Sequence, residues 1–364
     1  MPVESRDIKS DEGRVEVTFE LKRGAGIDMR VMTPDGLPAE GAKVALGIPG
    51  AQIDVKNGEI DDGSTYAQRT VVNAAGRLRF PGQSTAYQLV ITHESGFAHF
   101  KSDDAERDDL VRLTPWASAE GTFRIAMKPV GGVQLYLNSG NVHSYGKDAP
   151  SIFTSSETIT KQDGSFAFGR VFPGSGRVAR SVLRIVNEGA KEVTSSTSLA
   201  AEFASKQTTR FEFGLTGCPV VGKLVKPESK DDRVLWSFAE IDIAPQIGAG
   251  PVPIPAEQKD QPGKAQDWYS TWKETEIGKT WLAANREAEK SKREAPRYSA
   301  SCDTEGHFRI DDVPAGKYTL NVSFFESQGV GQLQNYDFTI PELNAKEGKI
   351  FDLGDLQLKS NLRE

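Results

Sequence analysis

Three copies of one short pattern constrain this chain more than any other feature. The copy nearest the C-terminus runs Asp303-Thr304-Glu305-Gly306-His307-Phe308-Arg309-Ile310, then Asp311-Asp312-Val313-Pro314-Ala315-Gly316, then Lys317-Tyr318-Thr319-Leu320-Asn321-Val322. An acidic turn ends on a glycine, whose missing Cβ permits positive φ. Phe308 and Ile310 alternate with Arg309, and Tyr318, Leu320 and Val322 alternate on the return, as a half-buried hairpin requires. Asn73-Ala74-Ala75-Gly76-Arg77-Leu78-Arg79-Phe80 and Lys161-Gln162-Asp163-Gly164-Ser165-Phe166-Ala167-Phe168 open in the same way, with Pro81-Gly82 and Pro173-Gly174 behind them. The turn glycines stand 88 and 142 positions apart, and the second interval falls to 89 without the 53 residues of a dissimilar stretch, 245–297. A period of about 90 residues suits a small β-sandwich and is too long for a solenoid repeat.

The expected fold is therefore all-β: three tandem Ig-like β-sandwich modules, the third carrying a loop-plus-helix insertion. The boundaries fall at 22–116, 117–216 and 217–359, with the insertion at 245–297 and an N-terminal tail and strand at 1–21. Thirty-five glycines, 19 prolines and a hydrophobic content of 37% suit many short strands rather than helical bundles. Each module closes on a strand, with Val111 and Leu113, then Phe211 and Phe213, then Phe351 to Leu358. Val15, Val17, Phe19 and Leu21 alternate like those closing strands. They read either as the end of a unit whose body is absent or as a swapped or edge strand of the first module.

The insertion differs in kind. Residues 245–266 read as loop, with Pro245, Pro251, Pro253, Pro255 and Pro262. Residues 267–293 read as helix, with Asp267 as N-cap and Trp268 and Trp272 one turn apart. Gly278 weakens its middle, so the stretch reads either as one helix or as two that break near that glycine. Trp268, Tyr269, Trp272 and Trp281 are the candidate ligand-binding residues, because planar rings can stack on sugars. The alternative is that the rings anchor the helix on the sandwich, which W-x-x-x-W on an amphipathic helix also suits. Trp116 and Trp236 lie near module joins and read as core.

The sequence Pro34-Asp35-Gly36-Leu37-Pro38-Ala39-Glu40-Gly41-Ala42-Lys43-Val44, the repeated turn-G-x-F-x-F and Val313-Pro314-Ala315-Gly316-Lys317-Tyr318-Thr319-Leu320 resemble the carboxypeptidase regulatory-like repeats. These are prealbumin-like β-sandwiches, grouped with carbohydrate-binding-like folds. The arrangement resembles arrays in large planctomycete multi-repeat proteins, over roughly residues 22–359. The resemblance implies a non-catalytic spacer or protein-interaction scaffold, placed extracytoplasmically in the periplasm or at the cell surface. Its partner would be a protein or a cell-surface polysaccharide, and a carbohydrate-binding module is the second possibility. Lys161 departs from the pattern, standing where the turn has Asp or Asn, and the insertion lies outside the basic module.

Little else points to chemistry. The formal net charge of −7 and the lack of a basic face argue against nucleic acid. No stretch approaches eighteen apolar residues, and Met1-Pro2-Val3-Glu4-Ser5-Arg6-Asp7 has no signal-peptide core. His93, His99, His143 and His307 lack metal spacing, and no nucleophile elbow occurs. Neither catalytic residues, a cofactor nor a metal is expected. The acidic pairs Asp61-Asp62, Asp103-Asp104, Asp108-Asp109, Asp231-Asp232 and Asp311-Asp312 read either as calcium ligands or as solvated turns. Cys218 and Cys302 read either as one bridge or as two buried thiols.

Overall fold

The computed structural model describes residues 26–358, apart from 84, 103–108, 140–147, 187–189, 215–216, 227–235, 237–238, 249–251, 260, 325–332 and 343–348. The expected strand at Val15–Leu21 lies outside the described residues.

Three tandem β-sandwich modules follow one another along the chain. The first holds β1 (Ile27–Met32), β2 (Lys43–Gly47), β3 (Gln52–Lys56), β4 (Glu59–Ile60), β5 (Gln68–Val71), β6 (Arg77–Phe80), β7 (Gln88–His93), β8 (Gly96–Lys101) and β9 (Leu110–Arg112). The second holds β10 (Ala117–Thr122), β11 (Arg124–Ile125), β12 (Lys128–Pro129), β13 (Gln134–Ser139), β14 (Ser151–Ile159), β15 (Ser165–Val171), β16 (Gly174–Val186), β17 (Ala190–Phe203) and β18 (Thr208–Glu212). The third holds β19 (Cys218–Val225), β20 (Ala239–Pro245), β21 (Arg297–Ala300), β22 (His307–Val313), β23 (Gly316–Phe324), β24 (Leu333–Ile340) and β25 (Phe351–Gln357). Between β20 and β21 stand the helices α1 (Ala256–Lys259), α2 (Pro262–Trp272) and α3 (Glu276–Glu294).

One sheet is built identically in every module. The opening strand is central, the hairpin strand lies antiparallel on one side and the closing strand parallel on the other. The orders are β6-β1-β9, β15-β10-β18 and β22-β19-β25. The repeated glycine explains this sameness. Gly76, Gly164 and Gly306 have φ of +74°, +75° and +87°, and a Cβ there would meet the carbonyl oxygens of Val31, Phe123 and Leu224 at 2.9, 2.5 and 2.7 Å. Only glycine permits both the turn and this approach to the opening strand. Asn73 and Asp303 brace their turns through Oδ1, which accepts from the N–H groups of Ala75 and Arg77 and of Glu305 and His307. Lys161 offers no such acceptor, and Asp163 instead takes the Ser165 N–H at 3.0 Å.

Alternation then sets the cores. Three buried clusters draw on residues 27–113, 117–213 and 218–358. Leu224, Phe308, Ile310, Tyr318, Leu320 and Leu356 share the third, although the insertion separates some of them in sequence. A fourth cluster joins Ala45, Ile53, Val55, Ile60 and Val90 to Trp116, Ile152 and Phe172, and so crosses from the first module into the second. β7 accordingly has buried residues on both faces, which its Leu89-Val90-Ile91 run fits.

The facing layer does not stop at module limits. The first module has a separate sheet ordered β5-β2-β7-β8, while a ten-stranded sheet runs β24-β23-β20-β21-β17-β16-β13-β14-β3-β4 through all three modules.

The insertion is not one continuous helix, and the break falls just before Gly278. Asp267 is inside α2 rather than at its N-cap, and Pro262 opens that helix, where its missing N–H costs nothing. The chain breaks after Trp272, and Thr275 caps α3 by accepting from Gly278 N at 3.0 Å. Gly278 is no weak point. It is buried in the first turn of α3, where a Cβ would lie 2.1 Å from the Trp272 carbonyl oxygen.

Candidate functional site: the joints between modules

The first joint is made by an arm. β3 and β4 leave the first module, and β3 pairs parallel with β14 from Gln52↔Ser151 to Lys56↔Ser155. Asn57 ends the arm at φ +52°, a conformation asparagine tolerates better than most residues. Its N–H donates to Ser155 O at 2.8 Å and its Oδ1 accepts from Glu157 N at 2.8 Å. Glu59 receives Lys43 at 3.1 Å and Arg170 of the second module at 3.0 Å. Those two hydrogen bonds, Lys43 first, hold the Glu59 carboxyl below its ordinary range. Under the arm, Trp116 packs against Phe97 and Phe172 with centroids 4.9 Å apart in both pairs, and its Nε1 donates to His93 O at 2.8 Å.

The second joint pairs β17 with β21 antiparallel, Thr197↔Tyr298 and Ser198↔Arg297. Arg180 of the second module meets Asp311 of the third at 3.1 Å, and both side chains are mostly buried. Asp312 Oδ1 accepts from Ala126 N at 2.9 Å. Arg177 donates to Ser198 and also to the carbonyls of Arg293 and Ala295, at 2.9 Å each. Its cation thus sits at the C-terminal end of α3, where the helix dipole favours positive charge. Burial, with Arg297 nearby, lowers the Arg177 pKa.

Both joints use the same local device. On the hairpin strand of the second module Gly169 and Arg170 face one residue of β10, as the register slips between Ala117 and Ala119. On that of the third module Asp311 and Asp312 face one residue of β19, as it slips between Cys218 and Val220. Such bulges re-aim side chains. Here they turn Arg170 and the two aspartates towards the preceding module. In the first module β1 and β6 pair without a slip, and Phe80 is followed directly by Pro81.

The sequence candidates for ligand binding fall elsewhere. Trp268 and Trp272 stack on each other at 5.2 Å and 15°, Tyr269 lies 6.0 Å from Trp272, and Trp281 meets Trp272 edge-on at 5.7 Å. These four rings are half-buried against one another, and none belongs to the four core clusters. The contact between Trp272 and Trp281 ties α2 to α3. Replacing Trp272 by alanine should therefore cost about 2 kcal/mol, felt by the helical hairpin. In a melt followed at separate wavelengths, the helical signal should fall at lower temperature while the strand signal keeps its midpoint. Trp236 packs against the third core.

The other candidates that are described make local contacts. His93 bonds Ser95, His99 bonds Gln88 and His307 bonds Asp303, at 2.8, 2.8 and 3.2 Å, while His143 lies outside the described residues. Among the described residues no group of three or more His, Cys, Asp or Glu is placed to hold a metal. Asp61 and Asp62 brace a turn with Gly63 and Arg69, and Asp103, Asp104, Asp108, Asp231 and Asp232 lie outside the described residues. Cys218 and Cys302 are free thiols in the third core, and burial pushes the Cys302 thiol up to about 12. No described helix is long and apolar enough to cross a membrane.

No known protein family matches the sequence, and no curated protein does. Among solved structures the chain is similar to the TIE protein of Bacillus anthracis, at 9% identity over 93% of this chain and 51% of that one, TM-score 0.21. It therefore spans about half the length of that protein. It is also similar to GBS52, the minor pilin of Streptococcus agalactiae, at 12% identity over 51% of this chain and 94% of that one, TM-score 0.27. A third is BcpA, the major pilin subunit of Bacillus cereus, at 10% identity over 93% of this chain and all of that one, TM-score 0.19. Likenesses this low say nothing about what the chain binds.

Proposed function

We propose that the chain is a non-catalytic array of carboxypeptidase regulatory-like β-sandwich modules. It would serve as a spacer or protein-interaction scaffold outside the cytoplasm, with a protein or cell-surface polysaccharide as partner. The supporting observation is the construction of the joints. At each one strand pairing, buried side chains and a bulge-borne residue cross from module to module, where a flexible linker would need none of these. A scaffold that sets distances needs joints of this kind.

Spin labels at Leu37→Cys and Lys317→Cys, in a Cys218→Ala, Cys302→Ala background, test it. Pulsed electron–electron distance measurement should return one narrow distribution for this chain. Adding Asn57→Gly and Arg170→Ala should broaden it severalfold. An equally broad distribution before and after those changes would remove the spacer reading.

A further inference from the structure

We propose that the second joint holds a binding site for a small organic cation, an ammonium on a short alkyl chain. A cavity of about 180 Å³ opens there between the second and third modules. Phe123, Leu199 and Phe213 line it from one side, and Pro296, Tyr298 and Pro314 from the other. At about 30 Å³ per liquid water, this is room for about six waters, or for a butyl chain with its ammonium head.

The charge at its wall is the decisive feature. Arg124 and Glu212, both in the lining, pair with each other. Arg180 and Arg309 both bind Asp311, at 3.1 and 2.8 Å. Asp312, also in the lining, is left with one hydrogen bond, from Ala126 N, and with no ion pair among the described residues. Arg180 and Arg309 reach its carboxylate only through space, and a half-buried carboxylate with no directly paired cation is a costly arrangement that a cationic ligand relieves. Arg180 already lies over the Phe123 ring at 5.9 Å, and the other lining rings, Phe213 and Tyr298, suit a ligand cation for the same reason, since a ring attracts a cation placed over it.

The backbone is committed to this placement. Asp312 is held at φ +58°, in the left-handed region. Gly217 allows it, since a Cβ there would lie 2.1 Å from the Asp312 carbonyl carbon. Strain of this sort persists where the surroundings over-determine it, and it gathers at binding sites.

The test is titration of the full chain with n-butylammonium, followed by calorimetry and by aromatic NMR signals. Nα-acetyl-lysine methylamide serves as a second probe and butyrate as the charge-reversed control. One saturable site for at least one amine, with no binding of butyrate, is expected. Saturation by butylammonium alone assigns a free amine, and saturation by both admits a lysine side chain from a partner. Asp312→Asn keeps an acceptor for Ala126 N and tolerates the left-handed backbone, so it should fold normally and weaken binding about tenfold or more. Leu199→Trp fills the cavity and should abolish binding with Asp312 intact. Failure of both amines to saturate, or unchanged affinity in either variant, overturns the proposal.

Discussion

Replacing Trp116 by alanine should destabilise the chain by about 4 kcal/mol and separate the unfolding of the first two modules. The ring is 8% exposed, so nearly its whole area leaves water on folding. It touches Phe97 of the first module and Phe172 of the second, which touch each other at 4.8 Å, so alanine opens a cavity with walls from both. It also strips the His93 carbonyl of its indole donor. Two further hydrogen bonds tie the same place, one from Lys206 N to Trp116 O and one from the Ser205 hydroxyl to Pro115 O, at 3.0 and 2.9 Å. Those ties survive the substitution, so the chain should remain folded and lose coupling. In calorimetry the first and second modules should then melt in two resolved steps. A loss under about 1 kcal/mol, with a single unchanged transition, would show that the aromatic contact is not what couples them.

How far the sequence disclosed this depends on the range of each interaction. The turn glycines were legible because Gly76, Gly164 and Gly306 act locally, and the alternation behind them named the buried residues of each hairpin. The closing strands were legible for the same reason. The β3–β4 arm was not, since Gln52–Lys56 reads as an ordinary edge strand, and nothing local says that its partner is Ser151–Ser155. The bulges leave a signal in the sequence. Setting the three copies side by side puts Gly169-Arg170-Val171-Phe172 and Asp311-Asp312-Val313 between the alternating apolar pair and the proline, where the first copy has nothing between Phe80 and Pro81. In the insertion, spacing disclosed the Trp268–Trp272 pair. Trp281 reaches them from a second helix, and that depends on the break at Thr275, which Gly278 makes possible.

Arg177 shows why the insertion's role was harder to read than its position. An arginine in the Gly174–Val186 strand is unremarkable in sequence, yet it captures the last carbonyls of a helix more than a hundred residues away. The helix therefore belongs by chain to the third module and by contact to the second joint.

Excising residues 247–295 and joining the ends with a short Gly/Ser linker should remove the helical signal and leave a cooperative third module. Pro245 closes β20, Arg297 opens β21, and the two strands are antiparallel neighbours, with Ile243 opposite Tyr298. The insertion is thus the long loop of a hairpin whose ends already lie side by side. β20 is held independently on its other edge by β23, from Ala239↔Phe324 to Pro245↔Tyr318. Among the described residues, none of the third core cluster comes from the excised stretch. Shortening the loop from some fifty residues to about four lowers its closure cost by about 2 kcal/mol. Against that, Arg177 loses the carbonyls of Arg293 and Ala295 and keeps only Ser198, a loss of about 1–3 kcal/mol for a half-buried charged donor. The two effects nearly cancel, so the melting midpoint of the strand signal should move little. Circular dichroism and calorimetry of the excised chain decide the matter. A third module that unfolds, or melts without a cooperative transition, would mean that the helices complete its core and that the repeat does not stand without them.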